Sequence, residues 1–331
     1  MKNPSVTAKL TFGQKLNVFV KQSPARMAFI IAVFIYAVTV IINPNAFNAS
    51  AIGSIIMLTL LLSFASAGQT IVLISGGMDF GVGAVMSSAA ILTTTIMNAE
   101  DGHFFTLLVV ALAMGALVGL LNGVCCVKIG LPPMIVTMAI ANVVTRMQYV
   151  LTEGSPMGYA GPKFIKSVTA RLFGVQFLPS IILYGIIIIP LVYFILNRSR
   201  FGKQVYLVGN NPVAAKLSGV NVAKVQILTY VFSGVFAAFA GMLGAAYMNA
   251  ARCQIFDNYA YESLIAVIIG GTLLSGGVGS YTGSIAGSLV MVVLSNMLTV
   301  IGLTQPERNL FMGVILILLL ILYNREKNVR Q

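Results

Sequence analysis

Between Arg26 and Lys128 the chain carries no lysine or arginine at all, and its only acids there are Asp79, Glu100 and Asp101. A water-soluble fold needs charged and polar cover over its whole outside, so a stretch of this length without a basic residue is hard to fit into one. The rest of the chain agrees. Across its 331 residues 58% are apolar and 8% charged, with a mean hydropathy of +0.94, where an ordinary globular domain carries about 25% charge. The composition excludes a soluble enzyme, a disordered chain and a secreted disulfide scaffold. It points to an all-α, polytopic helical membrane protein.

A span needs about 20 apolar residues. Ten such stretches are expected, at about 27–43, 51–75, 81–98, 104–127, 133–151, 179–197, 225–249, 260–274, 281–300 and 309–323. Residues 1–26 form a basic tail in which Phe12, Leu16, Phe19 and Val20 share one helical face, as in an amphipathic helix lying on a membrane. Residues 27–324 make one transmembrane domain, with a 152–178 loop outside and a 198–224 loop inside, and 325–331 close the chain. With both termini cytoplasmic, 14 of the 20 basic residues fall on the inside, as the positive-inside rule asks. The net charge of +12 is therefore read as topology, not as a nucleic-acid surface.

Little here can do chemistry. There is no G-x-x-x-x-G-K-[ST] phosphate loop, one histidine (His103), and three cysteines (Cys125, Cys126, Cys253) in no metal-binding spacing. No catalytic set and no metal site is expected. Ionisable residues within the membrane mark function by default, and Asp79, Arg146 and Glu262 are the candidates. Asp79 is equally readable as a turn or N-cap residue. Asn122, Asn142 and Asn296 stand at membrane depth, where an amide either bonds between helices or lines a passage. Gly115, Gly119 and Gly123, and Gly283 with Gly287, have the four-residue spacing of close helix packing. Ser75-Gly76-Gly77 recurs as Ser275-Gly276-Gly277, each after an apolar run.

The clearest local design lies in the inside loop. Asn211 is a good N-cap, Pro212 a good first helical residue, and Gly219 a good stop. Pro212, Ala214, Ala215, Lys216 and Leu217 then form a helix too short to stand alone. It reads as a rigid knob seated in another protein.

Four motifs, in order, resemble the permease subunit of ribose/galactose-type ABC sugar importers, a family grouped with branched-chain amino-acid permeases. They are Ser75-Gly76-Gly77-Met78-Asp79-Phe80-Gly81-Val82-Gly83, then Pro132-Pro133-Met134-Ile135-Val136-Thr137, then Arg200-Phe201-Gly202 with Gly209-Asn210-Asn211 and Ala214 to Val220, and last Ile269-Gly270-Gly271-Thr272 with Ser275 to Gly279. The resemblance implies a bacterial inner-membrane permease with no cofactor of its own. ATP and Mg would be held by a separate cytoplasmic ATPase, with a second permease subunit, identical or different, and an external solute-binding protein as partners. It makes 211–219 the coupling helix. Ser75, Gly76, Gly77, Asp79, Asn122, Asn142 and Asn296 are the candidate pathway or gate residues. Two positions depart from the family pattern: Gly81 stands where a serine is usual, and Ala260-Tyr261-Glu262 where the family often has Glu-Leu-Asp. An ion-coupled secondary carrier is the alternative reading.

Overall fold

A computed structural model describes residues 24–155 and 158–329, with side chains as far as Leu318. The proposed amphipathic helix of the basic tail lies outside these residues. Helix α1 (Pro24–Ile42) ends where Asn43 caps a single 3-10 turn, Pro44–Ala46. Asn48 caps α2 (Ala49–Ile74), its side chain accepting from the Ala51 N–H at 2.7 Å. There follow α3 (Val82–Met97), α4 (Phe104–Lys128), α5 (Pro133–Thr152), α6 (Pro162–Thr169), α7 (Ile181–Asn197), α8 (Arg200–Asn210) and α9 (Pro212–Leu217). The chain continues through α10 (Val222–Met248), α11 (Tyr259–Ile269), α12 (Tyr281–Val300) and α13 (Gln305–Val329). Among the described residues there is no β-strand, only an isolated bridge between Arg171 and Pro179 in the 152–178 loop.

Among the described residues, six helices are long and apolar enough to cross a membrane: α1, α2, α4, α5, α10 and α12. Helices α7 and α8, bent by 59° at Arg198-Ser199, make a seventh crossing if taken as one broken span. Two of the expected spans differ in kind. Helix α3 has 16 residues and α11 only 11, about 24 Å and 17 Å at 1.5 Å per residue, against a hydrocarbon core of about 30 Å. These are partial helices, each leading into or out of irregular backbone. Hydropathy registers apolar content and not helix ends, so 260–274 reads in sequence as a full span although its helix stops at Ile269.

Helices α2 and α10 form the buried centre, and α3 and α4 pack on α10. The α4 glycines do what their spacing suggests. A β-carbon at Gly115 would reach 2.7 Å from the Ala238 side chain, and one at Gly119 would overlap the Tyr230 backbone. Lipid supplies no hydrophobic force between helices, so such close contact is a main source of cohesion. Because α2 and α10 run antiparallel, the bundle has two distinct ends. One gathers Asp101, Ala160 and Asn249, where the Asp101 carboxylate accepts from the Lys163 N–H at 2.7 Å and Asn249 O from the Ala160 N–H. The other gathers Ile74, Gly209 and Gly277.

Candidate functional site

The two Ser-Gly-Gly turns meet in space at that second end. Gly76 (φ +86°) and Gly276 (φ +83°) both take left-handed backbone, open to glycine at little cost. The Gly277 N–H donates to Ile74 O at 2.8 Å, tying the second turn to the end of α2. A β-carbon on Gly276 would lie 2.9 Å from Gly76 N and 3.0 Å from Gly209 O, so helix α8 closes on both turns at once. The Tyr206 hydroxyl adds a bond to Gly279 O at 2.9 Å.

Helix α9 follows without slack. The Asn211 side chain accepts from the Val213 and Ala214 N–H groups, each at 3.0 Å. At the far end Gly219 (φ +82°) donates to Lys216 O and Val220 to Ala215 O, both at 3.0 Å, the paired bonds of a Schellman stop. The expected knob residues divide into two groups. Ala215 is 2% exposed and packs inward with Val205, Val208 and Val225, so it anchors the helix to its own chain. Val213 (71% exposed) and Leu217 (85%) face outward, with Pro212, Ala214 and Lys216 exposed beside them.

Asp79 and Asn122 also come together. Asp79 is 2% exposed, and its Oδ1 accepts from the Gly81 N–H at 2.8 Å and the Asn122 amide at 3.3 Å. The first bond makes an Asx turn that swings the chain into α3. Phe80 N–H donates to Thr137 Oγ1 at 3.1 Å, which docks the Pro132-Pro133 motif onto the same turn. Ser75 is buried and bonds back to Val72 O at 2.7 Å. Asn142 is elsewhere: it is exposed on α5 and donates to Met138 O of its own helix at 3.0 Å. Asn296 sits half-buried on α12. Arg146 is exposed over the Tyr149 ring, at 5.9 Å, and Glu262 opens α11.

Residues 249–258 stand out only in three dimensions. The sequence reads them as a loop between spans. In the fold they run down the side of α3, from Asn249 at the bundle end to Phe256, whose N–H donates to Ser87 Oγ at 3.0 Å, and Asp257 beside Gly83. Gly83 lies 14 residues before Met97, about 21 Å along the helix. Any β-carbon at Gly83 would meet Phe256 O and Asp257 O at 2.7 Å. Gln148, buried on α5, locks the segment: its amide donates to Ala84 O (3.0 Å) and Ser88 Oγ (2.8 Å) and accepts from Gln254 N–H (3.3 Å). Gln254, Asp257 and Gln148 carry no sequence signature. Only the polar run Arg252, Gln254, Asp257, Asn258 between apolar stretches hints at them.

Apolar helices long enough to span a membrane, interrupted by glycine turns, define a polytopic helical membrane protein. Residues 51–321 match the family model of the branched-chain amino acid transport system permease component, and the chain belongs to that family: it is a permease, not an enzyme. It is 31% identical to the fructose import permease protein of Rhizobium meliloti over 321 residues, covering 93% of this chain and 87% of that one. It is 26% identical to the ribose import permease protein of Escherichia coli strain K12 (88% and 91% covered). Against the galactose/methyl galactoside import permease protein of Haemophilus influenzae it is 31% identical (83% and 85% covered). No solved structure matches the chain.

Proposed function

We propose that this permease forms the passage for a sugar in an ATP-driven importer of the bacterial inner membrane. The Asn210–Gly219 end faces the cytoplasm, both termini lie on that side, and up to ten segments traverse the bilayer. Two permease subunits, a cytoplasmic ATPase and an external binding protein complete the machine, with ATP and Mg held by the ATPase. One observation carries the reading. Val213 and Leu217 present an apolar face on a helix too short to exist alone, and that helix is joined through the Asn211 cap to α8, whose Gly209 and Asn210 pack on the Ser-Gly-Gly turns. A partner that grips α9 moves two partial helices, α3 and α11, rather than a loop. The sugar comes from the relatives, which are named for fructose, ribose and galactose import.

Uptake of radiolabelled D-fructose, D-ribose and D-galactose into vesicles tests this. With the complete transporter, internal ATP and ion gradients collapsed, at least one sugar accumulates. Accumulation that persists without the ATPase and vanishes with the gradients would instead support an ion-coupled carrier.

A further inference from the structure

Irregular backbone at membrane depth survives only where protein buries it or where it borders a polar cavity. Residues 249–258 are such backbone, and a cavity of about 210 Å³ lies between their end, α3 and α5. At about 30 Å³ per water this holds about seven waters, comparable with one monosaccharide ring. Its lining carries several polar side chains. The larger cavity of about 540 Å³ between α2 and α7 is walled by Ile56, Leu60, Ile182 and similar side chains, whereas this one offers Asn142, Thr145, Gln254, Asp257 and Tyr261.

The polar groups are held in place with capacity to spare. Gln254 has left-handed backbone (φ +62°), an uncommon state for a side-chain-bearing residue. Tyr149 O–H donates to Gln254 Oε1 at 2.8 Å, and Gln254 Nε2 donates to Asp257 Oδ2 at 2.9 Å. That leaves Asp257 Oδ1 buried, with no hydrogen-bond partner among the described residues. A buried carboxylate oxygen without a donor is costly, and a ligand hydroxyl would satisfy it with a charge-assisted bond. The Tyr261 ring, 45% exposed, is braced edge-on by Phe80 at 5.7 Å between centroids. Its free face is an apolar platform beside the polar groups.

We propose that this cavity is a sugar subsite of the passage, in which Asp257, Gln254 and Asn142 exchange hydrogen bonds with ring hydroxyls and Tyr261 stacks against the ring's C–H face. This rests on the permease reading above. A pocket of mixed amides, one carboxylate and an aromatic plate suits a neutral polyhydroxylated ring. It suits an anion poorly, because Asp257 would repel it.

The test uses the complete transporter in cells, with D-fructose, D-ribose and D-galactose as probes. Asp257→Ala and Asn142→Ala are compared with the native chain for initial uptake rate, the ratio of rates among the three sugars, and sugar-independent ATPase activity of the purified complex. Asn142 is exposed and bonds only to its own helix, so its variant keeps the fold. Expected are a fall of tenfold or more for Asp257→Ala, a fall of threefold or more for Asn142→Ala, altered sugar ratios for both, and unchanged basal ATPase activity. Native rates and ratios in both variants would overturn the subsite while leaving the permease reading intact. Loss of basal ATPase in step with uptake would assign Asp257 a structural role only and also overturn it. A native chain that moves none of the three sugars would overturn the proposed sugar passage, and the subsite with it.

Discussion

Asp79 shows how much one buried side chain can hold. Its carboxylate is the shared acceptor of the Gly81 N–H and the Asn122 amide, so removing it orphans two buried donors at about 1–3 kcal/mol each. Asp79→Leu is expected to lower the thermal midpoint of the purified protein in detergent markedly. Asp79→Asn keeps an acceptor and should stay close to the native midpoint; equal losses in both would refute the shared-acceptor role. Asn211 is the second such residue. Asn211→Ala removes two capping bonds from α9 and should cost about 1 kcal/mol. Amide exchange over residues 213–218 is expected to accelerate while exchange in α10 stays unchanged. Both residues were recognisable in the sequence because capping and turn formation are local, set by three or four neighbours. Asp257 was not recognisable, because its role depends on Gly83, Gln148 and Tyr149, which lie more than 100 residues away.

At the level of elements, the sequence read most of the helices correctly, and it read the glycine seams well. Gly115 and Gly119 on α4 and Gly283 and Gly287 on α12 meet α10 and the Ala266–Gly270 end of α11, respectively. Small residues at four-residue spacing line one face of a helix and let a neighbouring backbone come close. Gly119→Leu is therefore expected to separate α4 from α10 and to abolish recovery of folded protein in mild detergent, whereas Gly102→Leu, in open space, is not. Helix lengths were harder to read. The start of α11 at Tyr259 lies within a residue of the expected 260, but nothing in the apolar run through Leu274 announces that the helix stops at Ile269, where Gly270 and Gly271 turn the chain against α12 and α1. The 198–224 loop likewise concealed α8, whose Val205 and Val208 bury against α9 and α10. At the start of α13, Thr304 donates through both its N–H and its hydroxyl to Glu307, at 2.6 and 2.7 Å, holding that carboxyl below the usual range. A depressed carboxyl stabilises the fold above its unfolded pKa of about 4.3 and loses that contribution as pH falls through the folded value. Exchange protection at Gln305–Asn309, relative to the intrinsic rate at each pH, should thus fall below about pH 4 in the native chain, and be low at every pH in Glu307→Ala.

For the molecule as a whole, the chain belongs to a permease family, and the proposed function has it driven through contact with a separate ATPase. The geometry supplies a short route: exposed Val213 and Leu217, the cap at Asn211, Gly209 against Ile74 and Gly276, and from there the partial helices α3 and α11 that border the polar cavity. The Ser-Gly-Gly echo, two isolated tripeptides in the sequence, becomes the junction of that route. The most direct test is the initial rate of radiolabelled sugar uptake in cells carrying Leu217→Asp at native membrane level, with ATPase recovery measured in the same preparation. A charge on that outward face should reduce uptake tenfold or more and strip the ATPase from the purified complex, with the permease still inserted. Native uptake and native ATPase recovery in Leu217→Asp would contradict the claim that α9 is where the driving force enters.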